Sequence, residues 1–268
     1  MKGRVIATLL GLAVAAPLAA HDLYMKLDSF FVPANTRIQV SLINGTFDAS
    51  EGAVKRERAR RIDIIHAGRR QSTKNLAWSA KGDTSHLRFR TGASGTYVLG
   101  VSLIPRSITL SGKDFNSYLE EDGIPSILER RRERNELDAS AREQYAKHVK
   151  AIIQVGDTRS GGWDTRLGHP AELVPLSNPY TLAVGDTLKL VALVDRKPAP
   201  GMTVLAGYQR EGSEPVKAGT ATADSVGVVS IPIAAAGKWY VKFISMEPVK
   251  KPKLDYESKW ATLTFELR

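Results

Sequence analysis

Residues 259–268 read KWATLTFELR, and Ala261, Leu263, Phe265 and Leu267 take every second position. Successive side chains of an extended strand point to opposite faces, so this run is a strand with one buried face. The same spacing recurs upstream at Trp239, Val241 and Phe243, and again at Leu188, Leu190, Ala192 and Val194. Pro198 to Gly201, Asp224 to Gly227 and Ala236-Gly237 supply turns between such segments at hairpin spacing. Residues 157–268 therefore read as an immunoglobulin-like β-sandwich, entered through the Gly-rich, polar stretch Gly156 to Gly168.

Alternation also organises the first half. Leu23, Met25 and Leu27 share one strand face, and Ile38, Val40 and Leu42 share another, with Asn44-Gly45 read as a turn. A strand follows at Arg61 to Ile65, then a turn at Ala67-Gly68. Leu87 and Phe89 oppose His86, Arg88 and Arg90, and Tyr97, Leu99, Val101 and Leu103 alternate after Gly92 to Gly95. An antiparallel sandwich over residues 21–110 closes this set.

Residues 111–156 have a different character, because charged residues and helix formers replace β-branched ones. Phe115, Tyr118 and Leu119 have helical spacing, Gly123 offers a stop, and Pro125 suits a first helical turn. Ser140-Ala141-Arg142-Glu143 has capping-box form, with Ala141, Tyr145, Val149 and Ile152 as the apolar stripe of a following helix. The expectation is a mainly β protein: two immunoglobulin-like antiparallel β-sandwich domains with a small helical insertion.

Ahead of these lies MKGRVIATLLGLAVAAPLAAHD, in which Lys2 and Arg4 precede an uncharged apolar run from Val5 to Ala20. That is the pattern of a secretory signal peptide over residues 1–20, cut after Ala20 so that the mature chain begins at His21 in the periplasm. The run is short for a membrane span, which needs about 20 apolar residues, and no second one follows. Stable membrane insertion after cleavage is not expected. The formal charge of +10 falls to +8 without Lys2 and Arg4, which favours anionic partners. Basic runs at Lys55 to Arg61, Arg69-Arg70, Arg130 to Arg134 and Lys250 to Lys253 lack interleaved aromatic residues, and export argues against nucleic acid. The chain has no cysteine. Disulfides, thiolate metal sites and cysteine nucleophiles are thereby excluded, and any metal must be held by nitrogen and oxygen.

Five motifs stand in order: His21-Asp-Leu-Tyr24, Phe115-x-x-Tyr-Leu-Glu-Glu-Asp-Gly-Ile124, Glu143-Gln-Tyr-Ala-Lys-His-Val-Lys-Ala151, Leu167-Gly-His-Pro-Ala-Glu-Leu-Val-Pro175 and Asn178-Pro-Tyr180. Together they resemble the exported bacterial family catalogued as domain of unknown function 4198, also labelled as nickel-uptake associated. The resemblance runs along essentially the whole mature chain. It implies a periplasmic protein of two β domains that handles nickel or cobalt for uptake, with no agreed catalytic activity. Ala171 departs from the bulky apolar residue expected between His169 and Glu172, which bears on local packing.

An amino-terminal His21 would offer its α-amine and its ring nitrogen to one metal ion, with Asp22 as a nearby carboxylate or as an acceptor orienting the ring. His169 and Glu172, in the approach to the second domain, are candidates to complete the shell; otherwise His169 caps a turn and Glu172 pairs with an arginine. His66 or His86 would be the second histidine of a copper brace, the basis of an oxygenase reading that ranks last. His148 reads as a packed or surface histidine. No phosphate loop and no Ser-His-Asp arrangement is visible, so no catalytic residues are assigned and the chain is not expected to be an enzyme. The expected function is a periplasmic metal-binding accessory that captures or relays nickel or cobalt, with copper or zinc as alternatives and a metal transporter or outer-membrane receptor as its partner. The competing expectation is a metal-free envelope module that binds polysaccharide, lipid or a partner protein.

Overall fold

The structure, a computed structural model, describes residues 21–268. The signal-peptide reading falls on residues 1–20 and lies outside the described residues. The first half contains β1 (Asp22–Lys26), β2 (Phe31–Val32), β3 (Arg37–Gly45), β4 (Ala59–His66), β5 (Arg69–Arg70), β6 (Ala77–Lys81), β7 (Thr84–Arg90), β8 (Gly95–Leu103) and β9 (Arg106–Leu110). Two helices follow, α1 (Gly112–Glu121) and α2 (Pro125–Glu133), and then the long β10 (Ala141–Val155). The second half contains β11 (Ala171–Pro175), β12 (Thr187–Val194), β13 (Lys197–Pro198), β14 (Thr203–Gln209), β15 (Val216–Thr222), β16 (Val228–Pro232), β17 (Gly237–Lys251) and β18 (Leu254–Leu267). The fold is mainly β and of sandwich type, as the alternating patterns predict.

These strands form three sheets. A four-stranded sheet has the order β1-β3-β7-β6, and a second four-stranded sheet joins β11, β12, β13 and β16 around β12. Between them runs a ten-stranded sheet, β15-β14-β17-β18-β10-β8-β4-β5, with β2 and β9 also paired to β10. The two halves meet where β10 pairs in parallel with β18, from Glu143 opposite Tyr256 to Ala151 opposite Thr264.

Because side chains alternate along a strand, β10 serves both cores. Val149, Ala151, Ile153 and Val155 pack with Leu23, Met25, Val40 and Leu87 beneath the first small sheet. On the other face Ile152 joins Leu173, Leu188, Leu190, Trp239 and Phe265 beneath the second. The molecule is thus two sandwiches that share one sheet, covered on opposite faces at its two ends.

Two sequence expectations are corrected. Residues 141–155 form a strand, not a capped helix: from Lys147 onward it is buried on both faces and carries apolar residues on each, so a helical stripe can be picked out of it. The helical part is confined to α1 and α2, which pack Phe115, Leu119, Ile124 and Ile127 against Ile244, Met246, Tyr256 and Trp260 of the β17–β18 hairpin. Gly123, at φ +73°, stops the first helix and Pro125 starts the second, as read from the sequence. Asn44-Gly45 is not a turn, because pairing of Asn44 with Leu23 and of Gly45 with Asp22 carries β3 through both residues.

Candidate functional site

The side chains on one face of β10, opposite Val149 and Ala151, include His148 and Lys150, and both are buried. Next to β10 runs β8, whose Ser102 hydroxyl lies 2.8 Å from His148 Nδ1. Beyond β8 lies β4, which brings Asp63 opposite Gly100 of β8. Gly100 has no side chain, and the ring of His169 lies over it: a Cβ there would come within 2.9 Å of His169 Cε1. His169 Nε2 reaches Asp63 Oδ2 at 3.2 Å, and the two imidazole rings stand 5.7 Å apart between centroids.

A clamp on the preceding loop sets the position of His169. Glu172 accepts hydrogen bonds from the backbone N–H of Leu167 (2.7 Å) and Gly168 (2.9 Å) and from Lys150 Nζ (2.7 Å). Lys150 also donates to the carbonyls of Thr165 (2.7 Å) and Leu173 (3.3 Å). Lys150 and Glu172 side chains are both 2% exposed, so each charge is compensated inside the protein. Lys150 and hydrogen bonds hold the Glu172 carboxyl below its ordinary range against the opposing effect of burial.

Both imidazoles are neutral at ordinary pH. Burial pushes His148 down to about 3, helped by His169, Lys259 and Arg60. Burial likewise lowers His169 to about 4, against an upward pull from Glu172. Asp63 does not reverse this, because Arg61 Nε at 3.0 Å and Arg70 already neutralise it. A carboxylate so placed only accepts, which puts the proton of the neutral His169 on Nε2 and leaves a lone pair on Nδ1. His148 Nε2 is buried and has no hydrogen-bond partner among the described residues. Each ring therefore has one nitrogen held by an oxygen and one available. The pair sits in a cleft of about 570 Å³ that is also bordered by Arg60, Arg61 and Lys259.

The four sequence-derived metal ligands do not converge. His21 is attached to the other face of the shared sheet, where its carbonyl accepts from Lys147, the β10 neighbour of His148 whose side chain points the opposite way. Its Nδ1 lies 3.3 Å from Glu51. Asp22 is taken by Lys242 and by the Tyr24 hydroxyl (2.8 Å), and Glu172 by Lys150, so neither carboxylate is free for an ion. His169 and Glu172 stay together, apart from His21 and Asp22, and Glu172 acts there as a clamp. His66 stacks on Tyr97 at 4.1 Å, and His86 lies 3.1 Å from Ser41 Oγ; neither is brought to His21. Among the described residues no three His, Asp or Glu side chains form a metal-holding group. Two imidazoles oriented by Ser102 and Asp63 are the side chains here that could contribute nitrogen donors to a divalent ion, in the manner of histidine ligands fixed through their second nitrogen.

Sequence reasoning missed Asp63, Gly100 and Ser102 and assigned no role to Lys150 or His148. The β-branched run Val149 to Ile153 carries a strand signal that would have placed His148 and Lys150 on one face.

No curated protein matches the chain. Among solved structures, a marsupial T cell receptor is 9% identical, with 92% of this chain and 74% of that chain covered and a TM-score of 0.21. A tetra-tandem repeat from the extending region of a large adhesion protein is 14% identical, with 92% and 50% covered and a TM-score of 0.23. Superposition this poor carries no weight for fold or function. The family described as Domain of unknown function (DUF4198) matches residues 18–247, most of the sequence, and the chain belongs to that family.

Proposed function

We propose that this protein is an exported metal-binding accessory that captures a divalent ion, nickel or cobalt, on the imidazoles of His148 and His169 and passes it to an uptake partner in the envelope. The observation that carries this reading is the buried imidazole pair, neutral and each with one unengaged nitrogen, at a cleft. Nitrogen donors in a cysteine-free chain suit nickel and cobalt, with copper(II) and zinc as competitors. Two protein donors leave the rest of the shell to water or to the incoming ion's own ligands, which favours capture and release over permanent retention. On this reading the protein binds and does not catalyse.

Calorimetric titration of metal-stripped protein with Ni(II) and Co(II) tests the proposal. One equivalent should bind, and His148→Ala and His169→Ala should each weaken binding at least about tenfold, the lower end of the effect seen when metal-site support is removed. An extra residue ahead of His21 should leave this binding intact. If that extension abolished it, an amino-terminal site at His21 would be the correct one.

The absence of a three-donor group among the described residues favours a second reading, a metal-free envelope module for polysaccharide, lipid or a partner protein. Elemental analysis of the purified protein separates the two, since a stoichiometric nickel or cobalt content contradicts the second.

A further inference from the structure

On the face of the shared sheet opposite the imidazole pair, a cavity of about 290 Å³ is bordered by Lys55, Arg58, Arg106 and Lys147, together with His21 and Tyr145. Four cationic side chains line it and no carboxylate does. Lys147 is the most telling of them. It is buried, yet its ammonium contacts only neutral oxygens, the His21 carbonyl and Asn44 Oδ1 at 3.4 Å. The rings of Trp260 (5.1 Å) and Tyr145 (5.5 Å) lie under it and bring no net negative charge. No ion pair to Lys147 exists among the described residues. A buried ammonium without a contact ion pair costs free energy that native proteins normally offset with an adjacent carboxylate, as Lys150 does three residues later.

Arg58 has the same shortage. One of its terminal nitrogens donates to the Ile104 carbonyl at 2.9 Å, but its Nε is buried with no partner. Burial, and then Arg106, lower its guanidinium from the ordinary value. The charges of Asp22, Asp122 and Glu143 also act on Lys147, but the two aspartates pair with Lys242 and Glu143 accepts from Tyr118 and Ser258, while Glu51, 3.3 Å from His21 Nδ1, engages the imidazole. The cations come from the loop before β4, from β9 and from β10, so they surround the cavity and do not form a solvated stripe along one element.

We propose that this cavity is a binding site for a small anion bearing carboxylate or phosphate oxygens, with Lys147 as its buried counter-charge and the unpartnered Arg58 Nε and Arg106 as donors at its mouth. Guanidinium groups match the paired oxygens of either group. The site is separate from the imidazole pair and does not depend on metal binding.

Titration of metal-stripped protein with citrate and, separately, with inorganic phosphate at low ionic strength tests the assignment and identifies the source of the oxygens. At least one anion should bind, and Lys147→Gln and Arg58→Gln should each weaken it about tenfold or more. Arg106→Gln, at an exposed position, should weaken it without affecting folding. Lys147→Met should raise the melting temperature in anion-free buffer and abolish the rise that the bound anion gives the unsubstituted protein. Failure of both anions to bind, or binding within twofold of the unsubstituted protein in all three glutamine variants, would overturn the proposal.

Discussion

At the scale of single residues, the site depends on charges neutralised inside the protein. Glu172→Gln leaves Lys150 buried without its partner, a change that costs about 3–5 kcal/mol. Urea denaturation should show a loss of that size, and the double variant Lys150→Met with Glu172→Leu should recover much of it. The imidazoles give stability a defined pH dependence. Their folded values, about 3 and about 4, lie below the unfolded value of about 6.5. Between those limits the unfolded chain binds more protons, so stability is full above pH 6.5 and is lost as pH falls toward 4. Metal-stripped protein denatured at pH 7 and at pH 4.5 should differ by a few kcal/mol, an order-of-magnitude figure, and His148→Gln should reduce the difference. His169 and Glu172 were legible as a pair in the sequence, but their roles were not. Spacing cannot reveal that Lys150, distant along the chain, occupies the carboxylate, or that Asp63 orients the ring.

At the scale of elements, β10 decides both the fold and the site. Its sequence supports a helical stripe at Ala141, Tyr145, Val149 and Ile152 as readily as a strand, because a strand between two cores carries apolar residues on both faces. A strand with one solvated or polar face, such as β7, was legible from alternation alone. The neighbour of β10 supports the site through what it lacks. Gly100→Ala on β8 would drive a methyl group toward Leu167 and the His169 ring. It should cost about 1–3 kcal/mol, the usual range for overpacking, and weaken metal binding in the same titration while His148 itself is untouched.

At the scale of the whole molecule, the shared ten-stranded sheet makes the sandwiches interdependent. Residues 21–156 without β18, or 157–268 without β10, would each expose a long unpaired strand edge and half of a core. Scanning calorimetry should therefore record a single cooperative transition, and neither fragment should fold alone. Two-sandwich composition was readable from turn spacing. Fusion through a parallel β10–β18 pair was not, because strand order leaves no mark on local alternation. The fusion also separates the two candidate sites onto opposite faces of one sheet, with adjacent residues Lys147 and His148 assigned to different ligands.

On the proposed function, His148 and His169 together hold a divalent ion. Anomalous-scattering maps from crystals of the protein equilibrated with cobalt(II) test it most directly. A peak is expected between His148 Nε2 and His169 Nδ1, at about 2.0–2.1 Å from each nitrogen as imidazole ligation requires. A cobalt peak at His21 with none between the two buried imidazoles would contradict it.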